Sequence, residues 1–94
     1  MTPDDLAKQL RNIGPKTAEI LLAADITSRE QLIDLGAEEA FIMAMETGRV
    51  GFGVNAAFLY ALEGAILNCD WRDIGEARKI EFKIFAKGLR EEMK

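Results

Sequence analysis

A basic turn near the N-terminus is the part of this sequence best suited to chemistry. Arg11 and Lys16 flank the run Asn12-Ile13-Gly14. Asn and Gly are the residues that most readily adopt left-handed backbone, so the chain is expected to bend sharply here. A tight turn presents free backbone N–H groups, and the two cations add positive charge. Together these groups could hold one nucleic-acid phosphate without reading any base.

The turn is expected to lie between two short helices, the first over about residues 3–10 and the second beginning at Pro15. Proline suits a first helical position, and the amides that follow it, at Lys16 and Thr17, have no partner within the helix. The positive end of the helix dipole lies at the same place. This arrangement resembles a helix-hairpin-helix element in which Asn12 replaces one of the usual glycines. The predicted phosphate contacts are Arg11, Asn12, Ile13, Gly14, Lys16 and Thr17.

The same turn has a purely structural interpretation. Ile13 and Ala18 would then be packing residues, and the turn would only set the angle between two helices. The net charge of −4 also repels nucleic acid at long range. Both interpretations are open from the sequence.

A second candidate surface is a basic stripe on the last predicted helix, about residues 75–93. At 100° per residue, five cations fall within one narrow arc: Lys79, Lys83, Lys87, Arg90 and Lys94. Like charges four residues apart cost about 0.2–0.5 kcal/mol per pair. A phosphate backbone, an acidic partner or the acidic middle of the chain would offset that cost. The alternative is a solvated helix face, since cations are favourable near a helix C-terminus.

The charge distribution and the missing residue types limit the possible functions. Residues 25–75 hold nine acidic and three basic side chains, whereas residues 76–94 hold four and six, so an anionic partner would meet the ends of the chain. There is no histidine and a single cysteine, which excludes Ser-His-Asp and Cys-His catalysis and His-containing zinc sites. We expect no enzyme activity, no cofactor, no metal ion and no small-molecule substrate.

The periodicity of apolar residues predicts an all-α fold, a small single-domain bundle of five to six helices over residues 1–94. Ser28 and Gln31 are expected to form a capping box for a third helix that ends near Gly36. The apolar positions of this helix are expected to be Leu32, Ile33 and Leu35. A fourth helix is predicted over about 37–47 and a fifth over about 55–69. The fifth is apolar nearly all round and should lie at the centre. Phe52, in the loop before it, is expected to fold back as a plug.

Several single residues have predicted places in this bundle. Glu63 is expected to pair with an arginine such as Arg11 or Arg72, or to lie at the edge of the bundle. Tyr60 and Trp71 are expected to be core residues with a polar tip, with Trp71 closing the core. Cys69 is expected to be a small core residue. The apolar runs are too short for a membrane span and the N-terminus is acidic, so the predicted location is the cytoplasm.

Two blocks of sequence resemble the C-terminal domain of the TfoX/Sxy regulators of bacterial competence. The first is Leu10-Arg11-Asn12-Ile13-Gly14-Pro15-Lys16-Thr17-Ala18-Glu19, followed by Ile26 and residues 32–36; the second is Leu59-Tyr60-Ala61-Leu62-Glu63-Gly64-Ala65-Ile66, with Trp71 beyond it. The resemblance implies a helix-hairpin-helix-related fold and positive control of DNA-uptake genes together with an activator of the cyclic-AMP receptor type. Family regulators carry a separate N-terminal domain, so this chain is expected to be a stand-alone relative or the C-terminal half of a longer regulator.

Two functions therefore remain open. One is a regulatory module that contacts the phosphate backbone of duplex DNA or a DNA-bound activator. The other is a protein–protein or self-association module with no direct DNA contact. The amides and cations of the turn favour the first function, and the net negative charge of the chain favours the second.

Overall fold

Local caps and turn residues divide the chain into short helices. The computed structural model describes residues 1–49 and 56–92, and all regular structure in these ranges is helical. The helices are α1 (Pro3–Gln9), α2 (Pro15–Ala23), α3 (Arg29–Leu35), α4 (Ala37–Glu46), α5 (Ala56–Leu67) and α6 (Glu76–Glu92), with a 3-10 helix at Trp71–Asp73. The all-α prediction is confirmed. Phe52 lies outside the described residues.

The helix ends follow from local chemistry. The Thr2 side chain and Asp5 form a reciprocal capping box at the start of α1, which the sequence analysis missed. Ser28 caps α3 as predicted, since its hydroxyl accepts from the Gln31 amide 3.1 Å away. The Gln31 side chain, however, accepts from the backbone N–H of Thr27 rather than Ser28, so only half of the expected box forms.

A single glycine separates α3 from α4. Gly36 has φ +81°, in the left-handed region that favours glycine, and its amide donates to the carbonyl of Leu32. This one residue ends α3 and lets α4 begin at Ala37 in a new direction. The chain therefore reverses there with almost no connecting loop.

The core is built around α5, as its apolar circumference predicts. This helix contacts α3, α4, α6 and the 3-10 helix, while α1 packs on α2 and α2 reaches α4. The largest fully buried side chains come from all six α-helices and from two connections: Leu6, Leu10, Leu21, Ile26, Leu32, Phe41, Leu59, Leu62 and Phe82. Phe41 packs edge-on against Phe58 and Phe85, with ring centroids 5.5 and 6.5 Å apart.

Three sequence expectations about the core are wrong. Trp71 does not close the core, because it sits in the 3-10 helix after α5 and 44% of its surface is exposed. Cys69 is only half-buried, in the turn between α5 and the 3-10 helix. Ile33 is largely exposed, because α3 is a short surface helix that buries only Leu32 fully.

One arginine links α6 to two other helices of the bundle. The guanidinium of Arg78 contacts carboxylates from three helices: Glu38 of α4 at 2.8 Å, Glu63 of α5 at 2.8 Å and Glu81 of α6 at 2.9 Å. It also lies 4.2 Å from the ring centroid of Phe82. We call these residues, Arg78 with Glu38, Glu63 and Glu81, the Arg78 cluster.

The Arg78 cluster corrects the predicted partner of Glu63. Neither Arg11 nor Arg72 reaches it; the Nε of Arg78 donates to its carboxylate instead. The Glu63 side chain is only 13% exposed, so the ion pair compensates a carboxylate that has left most of its water. Hydrogen bonds from Arg78 also lower the pKa of Glu38, more than burial raises it.

Candidate nucleic-acid interface

The turn between α1 and α2, residues 10–14, bends as its composition predicts. Asn12 has φ +72°, the left-handed conformation expected of it, whereas Gly14 has φ −87° and acts as the N-cap of α2. Ile13 is buried and fixes the turn on the core, as the structural interpretation required. Arg11, Gly14, Pro15 and Lys16 are exposed. The bend therefore has an apolar inner side and a basic outer side.

The first turn of α2 offers unpaired donors. Its N-cap makes no side-chain hydrogen bond, and the amides of Gly14, Lys16 and Thr17 have no hydrogen-bond partner among residues 1–49 and 56–92. The first bond of this helix comes from Ala18 to the carbonyl of Gly14, at 2.9 Å. These amides lie next to the exposed Lys16 side chain, which is the arrangement that suits an anion.

The side chain of Asn12 has a role that the sequence did not reveal. Its Nδ2 donates to the carbonyl of Cys69 at 2.9 Å, and its Oδ1 accepts from the amide of Trp71 at 3.2 Å. We call this pair of bonds the amide clamp. Asn12 was predicted to contact a phosphate, but its side chain is committed to the clamp, which joins the turn to the 3-10 helix.

The amide clamp needs a glycine beneath it. Gly64 of α5 is buried, and a Cβ placed there would overlap the Asn12 side chain and lie 2.8 Å from the carbonyl of Cys69. Glycine is unfavourable in a helix interior relative to alanine. Its presence in α5 is explained by the close approach of the turn.

The clamp brings a further group of residues beside the turn. Trp71 stacks on Tyr60 of α5, with ring planes 4° apart and centroids separated by 6.4 Å. Arg72 is exposed, and its Nε and Nη2 donate to the carboxylate of Asp70 at 2.9 and 3.1 Å. Hydrogen bonds from the side chain and amide of Arg72 lower the pKa of Asp70 to about 2, and the charge of Arg11 contributes in the same direction. The charges of Arg11 and Arg72 therefore both stabilise the ionised form of this carboxylate.

Trp71 and Arg72 were not predicted as site residues. A signal was present in the sequence, because Asp70-Trp71-Arg72-Asp73 sets the tryptophan among three charged residues just after a helix. A tryptophan in such a run is poorly placed to enter a core.

The basic stripe of α6 is only partly exposed among the residues that the structure describes. Lys83, Lys87 and Arg90 lie on the exposed side of the helix. Lys79 is half-buried, and its Nζ donates to the carbonyl of Arg72 at 3.1 Å, so it braces the 3-10 helix. Lys94 lies outside the described residues. The turn and Lys79 thus both bond to the backbone of the 3-10 helix.

Other parts of the described chain offer no comparable site. Two shallow clefts of about 250 Å³ are lined without any basic side chain, the first by Ala23, Ala24, Asp25, Met43, Glu46 and Thr47 and the second by Ile42, Met45, Glu46 and Leu89. Within residues 1–49 and 56–92, no three His, Cys, Asp or Glu side chains are grouped as metal ligands would be. None of the helices described there has the length and apolar character required to span a bilayer.

Comparison with known proteins agrees with this fold and with the family suggested by the two sequence blocks. No curated protein matches the chain. The crystal structure of an uncharacterized protein from Listeria monocytogenes is similar, with 38% sequence identity and a TM-score of 0.78 over 86% of this chain and 89% of that one. The family model described as the TfoX C-terminal domain matches residues 3–85, which include the turn, α5 and the Arg78 cluster. The chain therefore belongs to the TfoX C-terminal domain family.

Proposed function

We propose that this domain is a non-enzymatic regulatory module that contacts nucleic-acid phosphate through the turn between α1 and α2. Membership of the TfoX C-terminal domain family supports a competence-related regulatory role. The observation that carries the contact itself is the exposed basic side of the turn, where the free amides of Gly14, Lys16 and Thr17 lie beside a lysine. The partner is the backbone of duplex DNA, which the domain binds either by itself or together with an activator of the cyclic-AMP receptor type.

The chemistry of this contact is backbone positioning and not sequence readout. Amides and lysine side chains bind phosphate oxygens without distinguishing bases. One turn neutralises few phosphates, so we expect weak binding whose salt dependence corresponds to one or two contacts, about 0.9 in the logarithmic slope for each. A regulator built this way acts by docking on DNA that a second protein has already selected.

The test is a fluorescence-anisotropy titration of labelled duplex DNA at several salt concentrations, with Lys16→Glu and Lys87→Glu compared. Both lysines are exposed and both substitutions change the net charge equally. We expect Lys16→Glu to weaken binding and to reduce the salt slope by about one, while Lys87→Glu changes affinity less. Unchanged binding by Lys16→Glu at low salt would rule out the turn as the contact. A larger loss with Lys87→Glu would assign the contact to the basic stripe.

The second candidate function is a protein–protein or self-association module. It is favoured by two exposed aliphatic side chains one turn apart on α6, Ile80 at 49% and Ile84 at 68% exposure. In that case Ile84→Lys would abolish partner binding, and Lys16→Glu would not affect it.

A further inference from the structure

Trp71 is an exposed aromatic residue that the proposed phosphate contact does not use. It is the only tryptophan of the chain, and 44% of its surface is accessible. One side of the indole faces the parallel ring of Tyr60. A large apolar ring left in water forgoes the stabilisation that burial would bring, so its exposure in a small domain calls for a reason.

The indole is held firmly although it is exposed. Tyr60 is half-buried and packs on the core residue Phe82, with ring centroids 6.1 Å apart. The backbone on either side of the ring is fixed as well: the amide of Trp71 donates to Asn12, and the carbonyl of Arg72 accepts from Lys79. A ring fixed before its ligand arrives loses little conformational entropy on binding.

The amide clamp places this ring beside the basic turn. Asn12 lies next to Arg11 in the chain and bonds directly to the amide of Trp71. The guanidinium of Arg72 uses two of its N–H groups on Asp70, which leaves three of five for another acceptor. The exposed indole, the Arg72 guanidinium and the turn that carries Arg11 are thus neighbours in the structure.

We propose that Trp71 is a stacking platform for an unpaired nucleobase, so that DNA with a single-stranded stretch binds this domain more tightly than an intact duplex, which offers only the phosphate contact. The backbone of that strand lies along Arg11, Arg72 and the turn, so the inference rests on the phosphate contact proposed above. Bases in an intact duplex present only their edges, whereas an unpaired base exposes the flat face that an indole can cover. An exposed aromatic ring lies next to groups that can donate hydrogen bonds to phosphate. This combination favours a nucleic-acid ligand over a purely apolar one.

The fluorescence of Trp71 tests the contact directly, because no other tryptophan contributes to the emission. Wild-type protein is titrated at low salt with a twelve-nucleotide oligothymidylate (about three times the smallest footprint of a single-strand-binding fold), with duplex DNA and with inorganic polyphosphate. We expect strong quenching by the single strand, weak quenching by the duplex and none by polyphosphate, which carries the charge without bases. Equal quenching by all three would overturn the stacking proposal.

Variants then separate stacking from phosphate binding. With labelled oligothymidylate we expect Trp71→Ala to lose about tenfold in affinity, within the range measured for base–aromatic stacking. Trp71→Phe should retain most of the affinity because it keeps an aromatic face. Ile84→Ala, which removes exposed apolar surface on α6, is the control and should bind as wild type. Circular dichroism melting curves confirm that each variant is folded.

The outcomes distinguish the two proposals. If Trp71→Ala and Trp71→Phe both bind the single strand like wild type while Lys16→Glu binds weakly, the stacking inference is wrong and the phosphate contact stands. The stacking inference also fails if Trp71→Ala weakens single-strand and duplex binding equally. If no nucleic acid binds and Trp71→Ala instead disrupts a protein contact, both proposals fall and this surface is a protein interface.

Discussion

The amide clamp fastens the turn to the 3-10 helix, and the Arg78 cluster fastens α6 to α4 and α5, but the two use opposite chemistry. The clamp joins a neutral side chain to neutral backbone groups at 2.9 and 3.2 Å. The Arg78 cluster joins one cation to three carboxylates at 2.8–2.9 Å. Neutral hydrogen bonds are nearly insensitive to salt and pH, whereas ion pairs depend on both. The proposed ligand surface is thus held by bonds that salt does not weaken, so a salt titration of binding reports on the ligand contact.

Removing the cation should give the largest loss of stability. Arg78→Met is expected to lower the free energy of unfolding by about 2–3 kcal/mol, less than for a fully buried pair because the Arg78 side chain is 29% exposed. The reason is that Glu63 and Glu38 lose their partner while remaining partly buried. Urea unfolding at pH 7 measures the change. Arg72→Met is the matched control, because Arg72 forms an ion pair only at the surface. An equal loss of stability in the two variants would contradict the stabilising role of the Arg78 cluster.

Filling the space beneath the amide clamp should give the next largest effect. Gly64→Ala is expected to destabilise the domain by about 1–2 kcal/mol through overpacking, although the same change in an open helix stabilises by about 0.5–1 kcal/mol. Gly88→Ala in α6 is the control, because a Cβ there meets nothing within 4 Å. Adding Asn12→Gly should restore part of the loss. A stabilising Gly64→Ala would show that the turn does not pack against α5.

The smallest expected effect is the pH dependence of stability that the Arg78 cluster causes. Arg78 lowers the pKa of Glu38 in the folded state, so this contribution to stability is present above the ordinary value of 4.5 and is lost as the pH falls below it. Wild type should therefore lose more unfolding free energy between pH 6 and pH 3 than Arg78→Met does, by less than about 1 kcal/mol. Unfolding curves at several pH values measure the difference. Parallel pH profiles for the two proteins would refute the role of this pair.

The local features of the fold could be predicted from sequence because they depend on neighbours in the chain. Pro15, Ser28 and the left-handed Asn12 act within four residues of themselves, and the apolar circumference of α5 is a property of one segment. The partners of Asn12 lie 57 and 59 residues away, so no local pattern could identify them. The partner of Glu63 was missed for the same reason, since the choice among arginines is made by how α6 packs.

In the candidate site, too, the sequence predicts local features but not those that depend on distant residues. The exposed basic turn followed from composition, whereas the neighbouring aromatic ring did not. Tryptophan was assigned to the core on its average behaviour, which does not account for the polar residues around it. The packing of the 3-10 helix against Tyr60 leaves the ring at the surface, next to the turn that holds Asn12.

The long span of the amide clamp has a consequence for how the protein is made. The residues that fasten the turn leave the ribosome almost sixty positions after the turn itself. Closing so large a loop is a late step in folding. We expect Asn12 variants to unfold faster while folding at nearly the wild-type rate, because the clamp forms after the transition state. Until the clamp forms, the turn between α1 and α2 is not fastened to the 3-10 helix.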